Sequence, residues 1–260
     1  NTTGSSNTAV GQAALSSNQT SSNNTAVGYQ AGYSNTTGDI MTAVGQLALY
    51  ANTTGTANTG LGRAALYSNS TGSYNTSVGV QALNSNTTAS NNTAVGYQAI
   101  YSSTAGNGIT AIGYQAFYNG TATSDILSVA IGYQASKGGA GAANYGDVSV
   151  GALALTSITS GIFNVAVGYQ SMTSNTTGSY NVAVGRQALQ ANTTASYNTA
   201  VGYQSLYSNT TNGSNAYFGA FAGTGNTGTR NTAVGTSSFN TSGAGASNTA
   251  VGTQALSGTT

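Results

Sequence analysis

The chain lacks the residues on which most catalytic and metal chemistry rests. It has no cysteine and no histidine, and its 260 residues carry three Asp, no Glu, one Lys and three Arg. Without cysteine there are no disulfides and no thiolate metal sites, which leaves the redox compartment open. The three acids, Asp39, Asp125 and Asp147, are far apart in sequence. With no histidine beside them, they assemble no carboxylate pair, metal cluster or activated nucleophile within one chain. Serine and threonine are abundant, but none has a His or Lys base at a recognisable spacing. A net charge of +1 gives no basic stretch to neutralise phosphates or to hold an anionic membrane surface. No apolar run is long enough for a transmembrane helix. No charged segment followed by an apolar one marks a signal peptide. The reading is of a non-enzymatic chain that needs no cofactor and no metal.

What is present is a period. A Thr-Ala-Val-Gly pattern recurs from end to end. Its glycine falls at Gly11, Gly28, Gly45, Gly62, Gly79, Gly96, Gly113, Gly132, Gly151, Gly168, Gly185, Gly202, Gly219, Gly235 and Gly252. The step is 17 residues, except for two steps of 19 between Gly113 and Gly151 and one of 16 before Gly235. A fixed period of this length marks an array whose units pack on their neighbours, so residues 1–260 read as one repeat array. The chain opens and closes inside the pattern, and the expectation is a piece of a longer fibre.

Aligned on the glycine, the repeats form columns. The preceding residue is apolar throughout, as in Val10, Leu61, Ile112 and Phe218. Two before it the residue is small, with Tyr217 the exception. Three after it comes Ala or Ser, then usually a large apolar residue such as Leu15, Leu49, Phe117 or Met172; Gly32, Ser136 and Gly223 break that column. Four before it Asn is frequent, as in Asn24, Asn58, Asn75 and Asn181. Side chains alternate across a strand, so Thr8 and Val10 share one face and Ala9 takes the other. A tight turn at Gly11 and a second short strand at Ala14-Leu15 should follow. The Ser-Asn-Thr-Thr-Gly remainder is turn chemistry.

Two short strands and a loop make one coil of an all-β parallel β-solenoid. A helix is excluded, because no apolar face persists at helical spacing and Gly and Asn are too frequent. Fifteen coils at about 4.8 Å would span roughly 70 Å. The Val and Leu columns are expected to fill a thin core, with small Ala and Ser columns permitting close sheet approach, and the Asn column to form an amide ladder; the columns do not say whether the large or the small set faces inside the roll. Apolar residues on both faces of one strand, Ala9 and Val10, call for a partner. Parallel self-association of several chains, three being the expected number, answers that need.

The units Asn24-Thr25-Ala26-Val27-Gly28-Tyr29-Gln30-Ala31 and Thr110-Ala111-Ile112-Gly113-Tyr114-Gln115-Ala116 resemble the head repeats of trimeric autotransporter (YadA-like) adhesins, whose core reads Ser-Val-Ala-Ile-Gly-x-x-Ala. They look still more like the arrays of phage tail-fibre-like proteins and related bacterial surface proteins. The resemblance covers the whole chain. It implies a left-handed parallel β-roll, a homotrimeric fibre, an extracellular, cell-surface or virion location, and a role in adhesion. The present repeat departs in its longer polar loop, and in Thr where the family has Val three before the glycine. Val129, Val148, Val165 and Val182 restore the family residue.

Three sets of residues are candidates for contact. Tyr29, Tyr97, Tyr114, Tyr133, Tyr169 and Tyr203 follow the glycine, and Tyr33, Tyr50, Tyr67, Tyr101, Tyr118 and Tyr207 form a second set. Stacked phenols are flat and amphipathic, which suits surface glycans or receptors, although an aromatic ladder also packs for its own sake. Asn35, Asn52, Asn86, Asn175, Asn192 and Asn209 head Asn-Thr-Thr triplets that match the glycosylation acceptor pattern, as ordinary turn composition also does. The irregular coils around Ala122–Ile126 and Lys137–Asp147 interrupt a uniform surface and are a place to seek specificity. The Gly-rich run at 137–142 lacks phosphate-loop order and reads as an insertion.

The function expected is an extracellular fibre or adhesin shaft that mediates surface attachment. The alternatives are a self-polymerising, glycosylated filament or matrix protein, and an ice-binding solenoid. Thr8, Thr25, Thr42, Thr59, Thr76, Thr93 and Thr110 form a row of the kind ice binding requires. A flat exposed Thr face would favour that reading, and a buried one would remove it.

Overall fold

The computed structural model describes residues 1–120, 127–138, 145–240, 243 and 245–258. The chain divides into two compact units, Asn1–Ser128 and Val129–Thr260. The first unit carries seven strands, each one repeat's Thr-x-apolar triplet. They are β1 (Thr8–Val10), β2 (Thr25–Val27), β3 (Thr42–Val44), β4 (Thr59–Leu61), β5 (Thr76–Val78), β6 (Thr93–Val95) and β7 (Thr110–Ile112). The second carries eight: β8 (Val129–Ile131), β9 (Val148–Val150), β10 (Val165–Val167), β11 (Val182–Val184), β12 (Thr199–Val201), β13 (Ala216–Phe218), β14 (Thr232–Val234) and β15 (Thr249–Val251). Among the described residues there is no helix.

Within each unit every strand pairs in parallel with the next, like residue on like residue. Thr25 faces Thr42, Ala26 faces Ala43 and Val27 faces Val44. The two altered steps inside the second unit leave this register intact: Val129 still faces Val148, and Ala216 still faces Thr232. Extra or missing residues are therefore absorbed outside the strands. Each unit is a parallel β-solenoid, as the columns require.

The expected second strand at Ala14-Leu15 does not form. The backbone takes positive φ at the second and fourth residues after the turn glycine, as at Leu47 (60°) and Leu49 (52°). Alternating sign of φ breaks an extended strand. The segment is instead a stacked turn whose amides point along the solenoid axis. Leu47 N–H donates to Tyr29 C=O of the preceding coil (2.9 Å), and Leu49 N–H donates to Ala65 C=O of the following one (2.9 Å). Even Ile100, branched at Cβ, is held at φ 50° in this way. A left-handed residue other than glycine costs roughly 1–2 kcal/mol, and the bonds to both neighbouring coils offset it.

The turn glycine that precedes this segment is needed on two counts. All fifteen have φ between 122° and 143°. A Cβ on Gly45 would also lie 2.6 Å from the Gly62 carbonyl oxygen of the next coil.

The core differs from expectation in one column. The small residues of the strands (Ala26, Ala43, Ala94, Ala111) and the large residues after the turn (Leu49, Leu66, Leu83, Phe117) are buried together. The valine column is not part of that core. Val27 and Val44 are each 37% exposed and Ile112 is 40% exposed, on the outer face with the threonines. The inward turn of alanine gives the closest approach between strand and turn segment, and the leucines fill what remains.

The polar loop is not wholly an outer surface either. Two buried asparagine columns form a second, amide core. In the column four before the glycine, Asn58 Oδ1 accepts Asn75 N–H (3.0 Å), while Asn58 Nδ2 donates to Gly72 C=O (2.7 Å). In the other column amides stack side chain to side chain: Asn52 donates to Asn35 (3.0 Å) and Asn69 to Asn52 (2.7 Å). The expected amide ladder therefore exists in two columns, and in each the amides bond both backbone and one another. Both satisfy most of the amide groups they bury, which would otherwise be costly; Asn86 Oδ1, Asn209 Oδ1 and Asn198 Nδ2 are exceptions.

Candidate functional site

Three surfaces present chemistry to the outside. The first is the strand face. In β2–β7 every Thr-column residue and every Val-column residue is half-buried or exposed, and the residue between them is buried. The threonine row is thus outward-facing, beside a parallel row of valine, leucine and isoleucine. It is uncharged.

The second surface is the tyrosine column directly after the turn glycine. Tyr97 and Tyr114 stack with centroids 5.3 Å apart at 13°. Tyr169 and Tyr203 do not touch each other. Between them, one coil from each, stands Arg186, its guanidinium carbon 5.8 Å from the Tyr169 ring centroid and 5.6 Å from that of Tyr203. Phe221 meets Tyr203 edge-on at 5.0 Å. Tyr29 has Gln12 and Gln46 as column neighbours, and so no aromatic partner there. The next column inward is Gln, and its amides chain along the axis: Gln98 to Gln81 (3.0 Å), Gln115 to Gln98 (2.9 Å), Gln187 to Gln170 (3.0 Å) and Gln204 to Gln187 (2.8 Å).

The third surface holds the other rings. Tyr33, Tyr50 and Tyr67 stack at 5.3 and 5.2 Å, and Tyr101 on Tyr118 at 5.1 Å. Burial first, and then the neighbouring phenols Tyr101, Tyr97 and Tyr114, push the Tyr118 hydroxyl above its ordinary value. A further ladder was not singled out from the sequence: Phe163, Tyr180 and Tyr197 stack at 5.4 and 5.2 Å, with Tyr145 edge-on to Phe163. Phe163, Tyr180 and Tyr197 stand five residues before a turn glycine, a spacing legible in the chain. The same column holds Ile40, Ala57 and Asn91 elsewhere, which hid it.

No family model and no curated protein sequence matches the chain. The surfaces are therefore read on their own chemistry.

The glycosylation candidates lie elsewhere than the sequence suggested. Asn35, Asn52, Asn86, Asn175, Asn192 and Asn209 are all fully buried. Their amide nitrogens donate within the ladder and to loop carbonyls, as Asn52 does to Gly55 C=O at 3.0 Å. The folded solenoid offers no accessible amide nitrogen at these positions, so the acceptor reading is corrected to that of a structural ladder. Of the irregular coils, residues 121–126 and 139–144 lie outside the described residues, Asp125 among them.

Asp147, at the edge of that second loop, takes an asparagine position in the buried column. Its Oδ1 accepts Asn164 N–H at 2.7 Å. Burial raises its pKa from 3.8 to about 7, against the opposing effect of that bond. Among the described residues no group of three metal-ligating side chains occurs, and the surface forms no enclosed pocket.

Proposed function

We propose that this chain is a structural, non-enzymatic segment of an extracellular fibre or adhesin shaft. In this reading it self-associates in parallel through its strand face and contacts surface glycans through its tyrosine columns. One observation carries the self-association: an uncharged apolar row lies outward in coil after coil, half-buried or exposed, with none of the described residues covering it fully. An uncharged in-register face can pack against the same face of a second copy. Three copies around an axis and the left-handed roll follow from the resemblance to trimeric autotransporter and tail-fibre repeats. A cell-surface or virion location follows from the same resemblance. Light scattering on the purified chain at micromolar concentration should give three times the chain mass, and a stable monomer would defeat the proposal. Turnover of any member of a glycan panel would defeat the non-enzymatic part.

Ice binding is favoured by a separate observation, the outward threonine row of the first unit from Thr25 to Thr110. Its hydroxyls repeat once per coil along a parallel ladder, in register. In the second unit valine takes over at Val129, Val148, Val165 and Val182, which confines that reading to the first. Thermal hysteresis in a dilute solution would support it over the fibre, and freezing without hysteresis would remove it.

A further inference from the structure

We infer that Tyr169, Arg186 and Tyr203 form a binding site for the carboxylate of an acidic saccharide, a uronic- or sialic-acid residue in a surface glycan. This deepens the glycan-contact part of the proposed function and rests on it.

The chain has four cationic side chains in all, so the placing of one between two aromatic rings is informative. Arg186 is exposed, as are Tyr169 and Tyr203. Ring faces within about 6 Å of a guanidinium attract it electrostatically, and here one ring lies on each side along the solenoid axis. A guanidinium that meets rings through its flat faces keeps its edge of N–H donors for another partner. No protein acceptor takes those donors and no carboxylate pairs with Arg186 among the described residues.

The backbone beneath is fixed. Gln187 N–H donates to Tyr169 C=O (2.9 Å) and Gln204 N–H to Arg186 C=O (3.0 Å). A guanidinium held between rings has lost much of its rotamer freedom before any ligand arrives, which lowers the entropic cost of binding. Its planar fork matches a carboxylate bidentately. The flanking rings offer apolar surface to the C–H faces of a sugar, with hydroxyls at their tips for its hydroxyl groups. A strand of acidic glycan lying along the axis would meet ring, fork and ring in turn.

The molecule contains its own control. Arg63 occupies the same column and is also exposed, but its neighbours there are Gln46 and Val80. It has the charge without the aromatic frame, so a response due to charge alone would appear at both arginines.

The test is titration of the 15N-labelled full chain with hexagalacturonate, reading the Arg186 and Arg63 Nε–Hε signals and the binding isotherm. Maltohexaose serves as the neutral probe and a poly-Glu hexapeptide as the non-saccharide acid. Hexagalacturonate should move the Arg186 signal and leave Arg63 in place, with maltohexaose and the peptide at least about tenfold weaker. R186Q should weaken hexagalacturonate binding by at least about tenfold, while R63Q leaves it unchanged. R186K keeps the charge without the fork and should fall between. Circular dichroism of R186Q should match the parent, because the side chain is exposed. Equal shifts at Arg63 and Arg186, equal binding of the peptide, or unaltered binding by R186Q would each overturn the site and leave glycan contact elsewhere standing. No binding of any saccharide by the parent chain would remove the glycan-contact reading too, while the trimer measured by light scattering would still stand or fall by itself.

Discussion

Three residue types determine the character of the coil: the turn glycine, the buried asparagine and one buried aspartate. Gly45 shows why the first is constant, since an added methyl meets both a positive φ and the Gly62 carbonyl oxygen. Gly45→Ala should lower local stability by about 1–3 kcal/mol. Hydrogen exchange should show it, with the amides of β3 and its turn opening more readily than those of distant coils, because repeat arrays respond locally. Asn52 accepts from Asn69 and donates to Asn35, so Asn52→Ala unpairs two buried neighbours and should cost about 1–3 kcal/mol in urea denaturation. Asp147 gives a pH dependence. Its folded pKa of about 7 lies above the ordinary 3.8, so the folded protein keeps a proton that the unfolded chain has released. Its contribution is greatest below pH 4, declines as pH rises through 7, and is flat above. Asp147→Asn should abolish that slope and stabilise the second unit at neutral pH, measured as denaturation midpoints at pH 4 and pH 8.

Within the coil, exceptions to one column are repaired by exceptions to another. Gly32 stands where other repeats have a leucine, and Met41 stands where they have the buried asparagine. A Cβ on Gly32 would be 2.5 Å from the Met41 methyl, so the methionine has filled the space the missing leucine leaves. Gly223 and Tyr217 repeat the exchange, the tyrosine ring lying where the Gly223 side chain would be. Gly32→Leu alone should overpack this site, and Met41→Asn alone should leave it hollow. The double variant rebuilds the Leu49–Asn58 arrangement of the next repeat and should recover most of the loss. A double-mutant cycle should return a coupling of about 1–3 kcal/mol, and additive losses would show that the two positions do not share one space.

On the scale of the whole molecule the near absence of charge matters most. A strand face of threonine and valine cannot repel its own copy, and salt does not screen an attraction that is not ionic. Self-association should therefore be almost unchanged between low salt and 1 M salt, in contrast to glycan binding at Arg186, which should weaken. Val44→Lys combined with Val95→Lys places charge on the outer face of the first unit. The circular dichroism spectrum should stay that of the parent, because neither side chain enters the core, while light scattering should fall to the monomer mass. Loss of the spectrum would instead place these valines inside the fold.

Much of this was legible in the chain. The period, the parallel register, the turn at each glycine and the opposite faces of Ala26 and Val27 all follow from a repeat that stacks like on like. Such stacking makes each residue's axial neighbours a matter of counting. The radial direction was not a matter of counting. Whether alanine or valine turns inward depends on the segment after the glycine, where Leu47 and Leu49 take a backbone conformation that bulky residues avoid in isolation. Bonds to the coils on either side stabilise that conformation, and they exist only once the coils are stacked. The same holds for Asn52, which reads as a loop residue until its neighbours enclose it, and for Arg186, whose aromatic frame lies one coil away on each side. Sequence alone determined what lies above and below each residue; only the tertiary structure decided what lies inside, because interior and exterior are set by hydrogen bonds between coils.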